Sequence, residues 1–397
     1  MNIGIVTTWF DRGAAFVSKQ YADILSKENS IFIFARGGEK YDKTSAHWQT
    51  YPVLWGKIYK ESETRVNWNE FKKWIIENNI DLVIFNEQKD WEIIVDAKKL
   101  NIKTVAYIDY YTQETVPFFS LYDGLICNTK RHFSVFNWHP GAIYIPWGTD
   151  IEKFQNPHRV DNFKTPKFFH SAGMGGIRYR KGTDLLVKAF NQLEDKAELI
   201  IHSQVPLSYY SEIEHLVKSN PNISFIEKSV PPPGLYYLGN IYVYPSKLDG
   251  IGLTICESLA MGLPVITTNC APMNEFVSHK RNGLLVDVEK YVARPDGYYW
   301  PESICSITDL KNAMQFMVTN FHKIQEFSDF SIENAHQNFN WESNATKLLT
   351  IINRIERIDV KHDIQAKALG YTFSTREKVY SRSQALIRKI RRKLFQY

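Results

Sequence analysis

The sequence contains few cysteines, and their spacing fits neither a disulfide framework nor a zinc site. The 397 residues include four cysteines, with no Cys-x-x-Cys pair among them. Each lies in or beside an apolar run, as buried, reduced thiols do in cytosolic proteins. The composition therefore argues against a small secreted domain stabilised by disulfides. The four positions are Cys127, Cys256, Cys270 and Cys305.

Long hydrophobic runs are missing as well. No stretch reaches the roughly 18 consecutive apolar residues that a membrane-spanning helix needs. The amino-terminal "MNIGIVTTWF" has neither a charged leader nor a long apolar segment, so we predict no secretory signal peptide. There is also no Asp-x-Asp motif, and no His, Cys and Asp cluster with the spacing of metal ligands. We therefore predict no membrane-spanning helix and no metal site.

Strand-like and helical segments alternate along most of the chain. The β-branched and aromatic runs "NIGIVTTW", "SIFIFAR", "DLVIFN" and "GLICNT" are separated by helical periods, and the pattern restarts past residue 165 with "KFFHSAG". Continuous apolar runs of this kind are typical of parallel strands that are buried on both faces. The pattern predicts an α/β protein with two doubly wound, Rossmann-like domains facing a cleft.

The domain boundaries follow from where the pattern restarts. We place one domain at residues 1–150, a second at 151–345, and C-terminal helices that cross back at 346–397. The segment "IPWGTDIEKFQNPHRV", with its Gly, Pro and polar residues, connects the two domains. Open parallel sheets bind ligands at the carboxyl ends of their strands. The cleft between the domains is therefore the predicted binding site.

A loop after one predicted strand has a carboxylate at each end. In "DGIGLTICESLAMGLPV", residues 249–265, Asp249 and Glu257 flank a glycine-containing turn and a short helix. Gly250 and Gly252 allow a ligand to approach the backbone, and the free N–H groups of a helix N-terminus favour an anion. The spacing leaves two interpretations of Glu257 open: a ligand-binding carboxylate, or a capping box with Thr254. Asp249 with Gly250 is equally an ordinary turn pair.

A longer stretch, "PSKLDGIGLTICESLAMGLPVI", resembles the signature of glycosyltransferase family 4 (group 1) enzymes, P-S-x-x-E-G-F-G-L-x-x-x-E-A-M-A-x-G-x-P-V-I. Other segments resemble family motifs in the same order, over roughly residues 1–355. They are "RGAAFVSKQYADIL", "IPWGTDIEKF", "RKGTDLLVKAF", "EFVSHKRNGLLV" and "FNWESNATKLLTII". The resemblance implies the GT-B fold, with the acceptor on the N-terminal domain and the nucleotide-sugar donor on the second.

The resemblance also implies roles for three charged residues. Glu257 matches a carboxylate associated with the ribose hydroxyls of the nucleotide, a task that suits a double acceptor. Asp249 stands where the family has a glutamate that contacts the donor sugar, and it is shorter by one methylene group. Lys181 matches the lysine that neutralises the diphosphate. A solvated lysine ahead of a turn glycine is the alternative for Lys181.

Two further positions depart from the family pattern. Gly176 takes the place of the usual phosphate-binding arginine, and Arg178 or Arg180 is expected to supply the guanidinium instead. Ile108 takes the place of a histidine that the family carries before Asp109. Three roles stay open for Asp109: catalysis, contact with acceptor or donor hydroxyl groups, and capping of the next segment.

The resemblance thus predicts a catalytic set and a donor-binding set. Gly13 joins the donor set as a point of backbone approach to the diphosphate or the acceptor, although a tight turn explains this glycine equally well. The predicted catalytic residues are Asp109, Lys181 and Asp249. The predicted donor-binding residues are Gly13, Arg178, Arg180, Lys181, Asp249, Gly250, Ile251, Gly252, Leu253 and Glu257.

Basic residues are concentrated at the C-terminus. Residues 372–397 carry a net charge of +7, whereas the whole chain carries +5. Apolar residues recur there at helical spacing, which predicts a basic amphipathic helix on an anionic membrane surface. Packing of this helix against the N-terminal domain is the alternative; no nucleic-acid partner is expected, because no recognised binding motif appears. The predicted membrane-binding residues are Arg388, Lys389, Arg391, Arg392 and Lys393.

Together, the resemblance implies a retaining, metal-independent glycosyltransferase with a nucleotide-diphospho-sugar as donor substrate and no cofactor. The expected acceptor is a lipid-linked or glycan molecule in the synthesis of capsule, lipopolysaccharide or glycolipid. The expected location is the cytoplasm, peripherally at the inner face of the cell membrane. Two alternatives remain: an epimerase-like enzyme of the same fold, and a non-catalytic scaffold that binds nucleotide-sugar.

Overall fold

Two parallel β-sheets flanked by helices make up the computed structural model, which describes residues 1–36, 43–59, 64–155, 164–174 and 179–371. The predicted α/β class with two doubly wound sheets is confirmed. Among the described residues, no helix combines the length and the hydrophobicity needed to cross a bilayer.

The first sheet has seven parallel strands in the order β3-β2-β1-β4-β5-β6-β7. All five residues of the central strand β4 are buried, as its continuous apolar run predicts for a strand covered on both faces. The strand order reverses between β1 and β4, and such a switch point opens a crevice at the carboxyl ends. The strands are β1 Asn2–Thr7, β2 Ser30–Ala35, β3 Val53–Trp55, β4 Leu82–Asn86, β5 Lys103–Tyr107, β6 Gly124–Cys127 and β7 Ala142–Tyr144.

The second sheet has six parallel strands in the order β10-β9-β8-β11-β12-β13, with its switch point between β8 and β11. An antiparallel hairpin follows it, with residues 293–301 as its loop. The strands of the sheet are β8 Lys167–Gly173, β9 Glu198–Ser203, β10 Ile223–Glu227, β11 Ile241–Tyr244, β12 Val265–Thr268 and β13 Gly283–Val286. The hairpin consists of β14 Val288–Val292 and β15 Glu302–Cys305.

The helices begin where the sequence offers capping residues. Asn67 accepts a hydrogen bond from the backbone of Glu70 at the start of α2, and Ser306 does the same for Asp309 in α8. The helices are α1 Gly13–Leu25, α2 Trp68–Glu77, α3 Glu92–Lys99, α4 Lys130–Phe136, α5 Thr183–Phe190, α6 Glu214–Ser219, α7 Leu253–Ala260, α8 Ile307–Thr319, α9 Ile324–Asn338, α10 Trp341–Arg354 and α11 His362–Gly370.

Helix α10 returns the chain to the first sheet. Its first residue, Trp341, donates its indole N–H to the carbonyl oxygen of Gln20 in α1, at 3.3 Å. The ring of Trp341 also lies 4.4 Å, centroid to centroid, from that of Trp147. Helices α10 and α11 confirm the predicted C-terminal helices as far as the described residues extend, to residue 371. The domain boundaries at residues 150 and 345 stay predictions.

The carboxyl ends of the two sheets face each other. His132, in the helix after β6, lies 3.0 Å from the carbonyl oxygen of Gly250, in the loop after β11. Tyr110, just past β5, donates its hydroxyl to the carbonyl oxygen of Asp296 in the hairpin loop, at 3.0 Å. The loops that follow the strands of both sheets therefore meet in one cleft.

Candidate active site

An ion pair joins two motifs of the second sheet. Lys181 comes just before α5, Asp249 comes after β11, and Lys181 Nζ lies 2.7 Å from Asp249 Oδ2. Tyr244, the last residue of β11, accepts a hydrogen bond from Lys181 and donates its hydroxyl to the same carboxylate. The two charged side chains are 17% and 12% exposed, so the pair is largely shielded from water.

Burial and the neighbouring charges shift the pKa of each member of this pair in opposite directions. Burial lowers the pKa of Lys181, and the Asp249 carboxylate opposes that change. Burial raises the pKa of Asp249, but the charges of Lys181 and Arg180 outweigh it and hold that pKa well below its usual range. Two cations therefore stand beside one carboxylate, which leaves positive charge for an anionic ligand.

Asp249 also organises the glycine loop that leads into α7. Its Oδ1 accepts hydrogen bonds from the backbone N–H groups of Ile251, at 3.3 Å, and Gly252, at 3.2 Å. Gly252 has a φ of 92°, which glycine adopts without strain. A Cβ on Gly250 would lie 2.7 Å from Oδ1 of Asp109, so a larger residue there would displace that carboxyl group. The two glycines therefore act differently: Gly252 provides the backbone conformation, and Gly250 lets Asp109 approach.

Glu257 does not form the capping box that its spacing allows. Helix α7 begins after Gly252 without a side-chain cap hydrogen bond. Glu257 instead accepts a hydrogen bond from the hydroxyl of Tyr236, which lies 2.5 Å from Oε2. Burial raises the pKa of Glu257, whereas this hydrogen bond and the charge of Lys181 lower it. This geometry excludes the capping box, and the ligand-binding role of Glu257 stays a prediction.

Arg131 of α4 connects the first sheet to the loops of the second. Its guanidinium donates to the carbonyl oxygens of Asp249, at 2.6 Å, and Ala271, at 2.5 Å. In return, Glu275 accepts the backbone N–H groups of Lys130, at 2.6 Å, and Arg131, at 2.9 Å. Carboxylates are favoured at helix N-termini, so Glu275 stabilises the start of α4 from across the cleft.

His132 makes the next contact across the cleft as a neutral imidazole. Burial, followed by the charge of Arg131, lowers its pKa to about 3. Its Nε2 lies 3.0 Å from the carbonyl oxygen of Gly250, and its Nδ1 lies 2.9 Å from the hydroxyl of Tyr111. Because a carbonyl oxygen only accepts, Nε2 carries the proton and Nδ1 accepts from Tyr111. His132 therefore anchors the glycine loop to the first sheet.

Asp109 faces that same loop, whereas Ile108 does not. The close approach of Asp109 to Gly250 places its carboxyl group in the cleft. Ile108 is 0% exposed and packs in the hydrophobic core of the first sheet. The position at which the family carries a histidine therefore brings no polar side chain into the cleft.

Aromatic residues of the hairpin loop close one side of the cleft. The ring of Tyr298 stacks on Tyr110, with centroids 5.3 Å apart, and its hydroxyl donates to the carbonyl oxygen of Asp109, at 3.1 Å. Trp300 donates its indole N–H to the hydroxyl of Tyr111, at 2.6 Å. This loop of the second sheet therefore covers the chain segment that carries Asp109.

The remaining predicted residues are placed as follows. Arg180 lies close enough to Asp249 for its charge to lower the pKa of that carboxyl group. Gly13 is the first residue of α1, and a Cβ there would lie 3.8 Å from Leu253 Cδ1, at the start of α7. Arg178 lies outside the described residues, as do the five basic residues predicted to bind a membrane. Within the described ranges, no group of three His, Cys, Asp or Glu residues is arranged to hold a metal ion.

Sequence reasoning missed Arg131, Tyr236 and Tyr244. No motif marks them, but Arg131 and Tyr244 share a signal: each lies at or just after the carboxyl end of a buried strand. Side chains at those ends converge on the cleft in doubly wound sheets. Tyr236 lies in a short 3-10 helix between β10 and β11, where no periodicity marks it.

The second sheet corresponds to a known family. Residues 168–294 match the family model described as Glycosyl transferases group 1. This range contains Lys181, Asp249 and Glu257, and it ends at the hairpin loop. The resemblance found in the sequence motifs is thereby confirmed.

Curated relatives match over similar lengths. An uncharacterized glycosyltransferase 335 of Sulfolobus islandicus rod-shaped virus 1 is 29% identical over 157 residues, 36% of this chain and 44% of the relative. The capsular polysaccharide biosynthesis glycosyltransferase CapM of Staphylococcus aureus is 28% identical over 153 residues, 35% of this chain and 39% of that protein. The chain thus spans less than half the length of these relatives.

Solved structures share the whole architecture. Anabaena HepE in complex with UDP and glucose aligns with a TM-score of 0.69 over 89% of this chain and 100% of that chain. The two sequences are 15% identical, so the likeness shows a common fold. The predicted GT-B arrangement of two facing domains is confirmed.

Proposed function

We propose that the chain transfers a sugar from a nucleotide-diphospho-sugar, because residues 168–294 match the Glycosyl transferases group 1 family. The proposed reaction retains the configuration of the sugar and needs neither a metal nor a cofactor. The observation that carries the proposal is the contact of Lys181 with Asp249, which brings together the residues that match the family's diphosphate and sugar ligands.

The reaction joins an acceptor oxygen to the anomeric carbon of the sugar. The bond from that carbon to the diphosphate breaks, the nucleoside diphosphate leaves with the electron pair, and the acceptor's proton leaves with it. Lys181 and Arg180 supply positive charge for the departing diphosphate. The N-terminus of α7, behind Gly252, adds backbone N–H groups and a favourable dipole.

Glu257 is proposed to bind the ribose. Its carboxylate lies in the same helix that begins at the glycine loop, and it already accepts a hydrogen bond from the hydroxyl group of Tyr236. A ribose offers two such hydroxyl donors to a carboxylate. Closure of the cleft by the hairpin loop would exclude water and so favour transfer over hydrolysis.

The proposed acceptor is a glycan or a lipid-linked sugar in the synthesis of a cell-surface polysaccharide. Support comes from the similarity to CapM, whose name places it in capsular polysaccharide biosynthesis. The basic tail, residues 372–397, supports a location at the inner face of the membrane, because clustered Lys and Arg bind anionic lipid. Membrane binding through that tail remains part of the proposal.

The first test is thermal stabilisation of the purified protein by UDP-, GDP-, CDP-, ADP- and dTDP-glucose. A ligand at 100 times its Kd stabilises the folded state by about 2.7 kcal/mol, so a bound nucleotide class raises the Tm. We expect one class to do so, and Glu257→Gln to lose most of that increase. Glu289→Gln is the matched control, because Glu289 is an exposed residue of β14.

The result also separates the alternatives. Absence of stabilisation by every nucleotide-sugar would contradict the proposal. Conversion of a bound nucleotide-sugar into its isomer, without release of nucleoside diphosphate, would identify an epimerase-like enzyme. Binding without any turnover in the presence of acceptor extracts would identify a scaffold.

A further inference from the structure

Two consecutive side chains of the first sheet hold two consecutive peptide groups of the second. Arg131 donates to the carbonyl oxygen of Asp249, at 2.6 Å. Its neighbour His132 lies 3.0 Å from the carbonyl oxygen of Gly250. The two residues are 6% and 0% exposed, so water does not compete for these carbonyl groups. The glycine loop, residues 249–252, is therefore fixed from across the cleft.

The direction of these peptide groups matters, because a trans peptide points its N–H opposite its carbonyl oxygen. Both carbonyl oxygens are drawn toward the first sheet, so the N–H groups of Gly250 and Ile251 point away from it. The N–H of Ile251 accordingly meets Oδ1 of Asp249, at 3.3 Å. Oδ2 of that carboxylate lies 2.7 Å from Nζ of Lys181. This N–H is therefore turned toward the proposed diphosphate site.

A chain of hydrogen bonds holds His132 in place. The indole N–H of Trp300, in the hairpin loop, donates to the hydroxyl of Tyr111, at 2.6 Å, and this hydroxyl donates to Nδ1 of the imidazole, at 2.9 Å. Nε2 then donates to the carbonyl oxygen of Gly250. The backbone N–H of His132 is capped by the hydroxyl of Thr129, at 3.1 Å. The imidazole is therefore fixed at both of its nitrogen atoms.

Arg131 is fixed by a second set of contacts. Its guanidinium also donates to the carbonyl oxygen of Ala271, at 2.5 Å, and lies 5.2 Å from the ring centroid of Trp300. Two carbonyl acceptors define the plane of a guanidinium, which is rigid. All of these partners belong to loops of the second sheet, so the arrangement exists only when the cleft is closed.

We propose that Arg131 and His132 are positioning residues for the donor diphosphate: in the closed cleft they hold the glycine loop so that its N–H groups are directed at the diphosphate. A diphosphate that displaces the Asp249 carboxylate from Lys181 then meets N–H groups that are already aligned. The proposal rests on the glycosyltransferase function proposed above. It makes closure of the cleft a part of donor recognition, through side chains that act on the loop.

Closure alone and orientation of the loop predict different losses of affinity. If the two side chains only kept the cleft closed, affinity would fall no further than the closed population does, because the competent fraction scales the apparent Kd. If they also orient the loop, the closed state itself binds more weakly, and affinity falls further. The closed population and the affinity must therefore be measured on the same variants.

The test measures both quantities on the full chain. Fluorescence energy transfer between dyes on the two sheets gives the closed population without ligand, and calorimetry with UDP, GDP, CDP, ADP and dTDP gives the affinity. Arg131→Met keeps a long side chain and His132→Phe keeps a ring, but neither variant donates a hydrogen bond. We expect each to lose about two- to tenfold more affinity than its closed population accounts for, the loss typical of one hydrogen bond.

Tyr298→Phe is the matched comparison. It loses a hydrogen bond that crosses the cleft to the carbonyl oxygen of Asp109, and this bond does not involve the glycine loop. Its affinity should therefore fall by no more than its closed population. Arg131→Lys and His132→Gln each retain a donor and should recover part of the affinity that Arg131→Met and His132→Phe lose.

Two results would overturn the inference. Affinity that falls only in proportion to the closed population would show that the two side chains close the cleft without orienting the loop. Unchanged affinity in Arg131→Met and His132→Phe would show that the loop needs no support from the first sheet. The proposed function survives both results, because the natural protein still binds a nucleoside diphosphate; failure of all five probes to bind it would overturn both proposals.

Loss of folding is separated from loss of orientation. Circular dichroism and the ligand-free Tm identify any variant that does not fold. In that case Arg131→Lys and His132→Gln provide the same comparison with a smaller expected loss.

Discussion

The Nζ atom of Lys181 lies 2.7 Å from Oδ2 of Asp249, so the cation proposed to bind the diphosphate is already paired in this structure. A diphosphate carries more negative charge than one carboxylate and competes effectively for the lysine. We therefore expect donor binding to exchange one ion pair for another, which frees Asp249 to contact the sugar. This exchange would couple recognition of the two parts of the donor.

Loss of the Asp249 charge should destabilise the free protein and alter its response to ligand. Asp249→Asn leaves Lys181 buried without its carboxylate, and breaking such a buried pair costs about 3 kcal/mol or more. Urea unfolding should show this loss. Nucleoside diphosphate should then restore more stability to the variant than to the natural protein, because it replaces the missing charge.

The charge-conserving variant Asp249→Glu provides the control. It should retain most of the stability, because a carboxylate remains within reach of Lys181. Equal ligand-induced increases in Tm for Asp249→Asn and the natural protein would argue against the exchange.

His132 should make folding stability depend on pH below neutrality. Its folded pKa of about 3 lies below that of an unfolded histidine, so the unfolded state binds more protons as pH falls. The stability that its neutral form provides is present above about pH 6.5 and declines by about 1.4 kcal/mol per pH unit below it. His132→Gln should make this decline shallower, as measured by denaturant unfolding between about pH 6.5 and 4.

Other buried histidines keep part of the slope in His132→Gln. They are His170, whose pKa burial lowers to about 4, and His139, whose pKa burial also lowers. His322→Gln, a histidine-to-glutamine change at an exposed position, is the matched control. An identical slope in His132→Gln and the natural protein would contradict the neutral assignment of His132.

Gly13→Ala should separate a structural from a ligand-binding role for this glycine. An alanine Cβ there would make only an ordinary contact, 3.8 Å from Leu253 Cδ1. Replacing glycine at an unstrained position stabilises a protein by about 0.4–1 kcal/mol, so the ligand-free Tm should not fall. If the donor approaches this backbone as proposed, the same methyl group should reduce nucleotide-sugar affinity.

Gly370→Ala is the matched comparison, since a Cβ at Gly370 meets nothing within 4 Å. It should leave affinity unchanged. Full affinity in Gly13→Ala would show that the first loop is a tight turn and no more.

Tyr298 should help to hold the cleft closed. Tyr298→Phe keeps the stacking on Tyr110 but loses the hydrogen bond to the carbonyl oxygen of Asp109. One hydrogen bond contributes about 0.5–1.5 kcal/mol, so the open population should rise about two- to tenfold. Fluorescence energy transfer between dyes on the two sheets would measure this population.

The neighbouring residue supplies the control for this prediction. Tyr299 reaches the first sheet through its backbone N–H, which donates to the carbonyl oxygen of Tyr111 at 2.9 Å. Tyr299→Phe keeps that bond and should leave the open population unchanged. If Tyr298→Phe also leaves the open population unchanged, the contacts of Arg131 and His132 hold the cleft closed instead.

The geometry of the glycine loop, which is proposed to bind the donor, could be predicted from sequence because one contiguous segment carries it. Asp249, Gly250, Gly252 and Glu257 lie within nine residues, between β11 and the end of α7. Strand, turn and helix signals there are local, so their order already places both carboxylates at the carboxyl edge of a sheet. What the spacing left open was whether Glu257 capped its own helix.

The other side of the cleft could not be predicted in the same way. Arg131 and Asp249 are 118 positions apart in the sequence, and His132 contacts Gly250 over the same separation. Nothing in "TKRHF" indicates which loop of the second sheet these side chains will meet. The turn after β4 likewise depends on a residue distant in sequence, since Arg36, just after β2, donates to the carbonyl oxygens of Asn86 and Glu87.

The sequence by itself determined the α/β class, the two doubly wound sheets and the position of the glycine loop at a strand end, because periodicity and turn chemistry are properties of short segments. Only the tertiary structure decided that Lys181 pairs with Asp249, that Glu257 meets Tyr236 and that Asp109 lies against Gly250. Those contacts depend on how two sheets pack face to face. The protonation of Asp109 depends on the same packing, since burial and a neighbouring carboxylate act on it together.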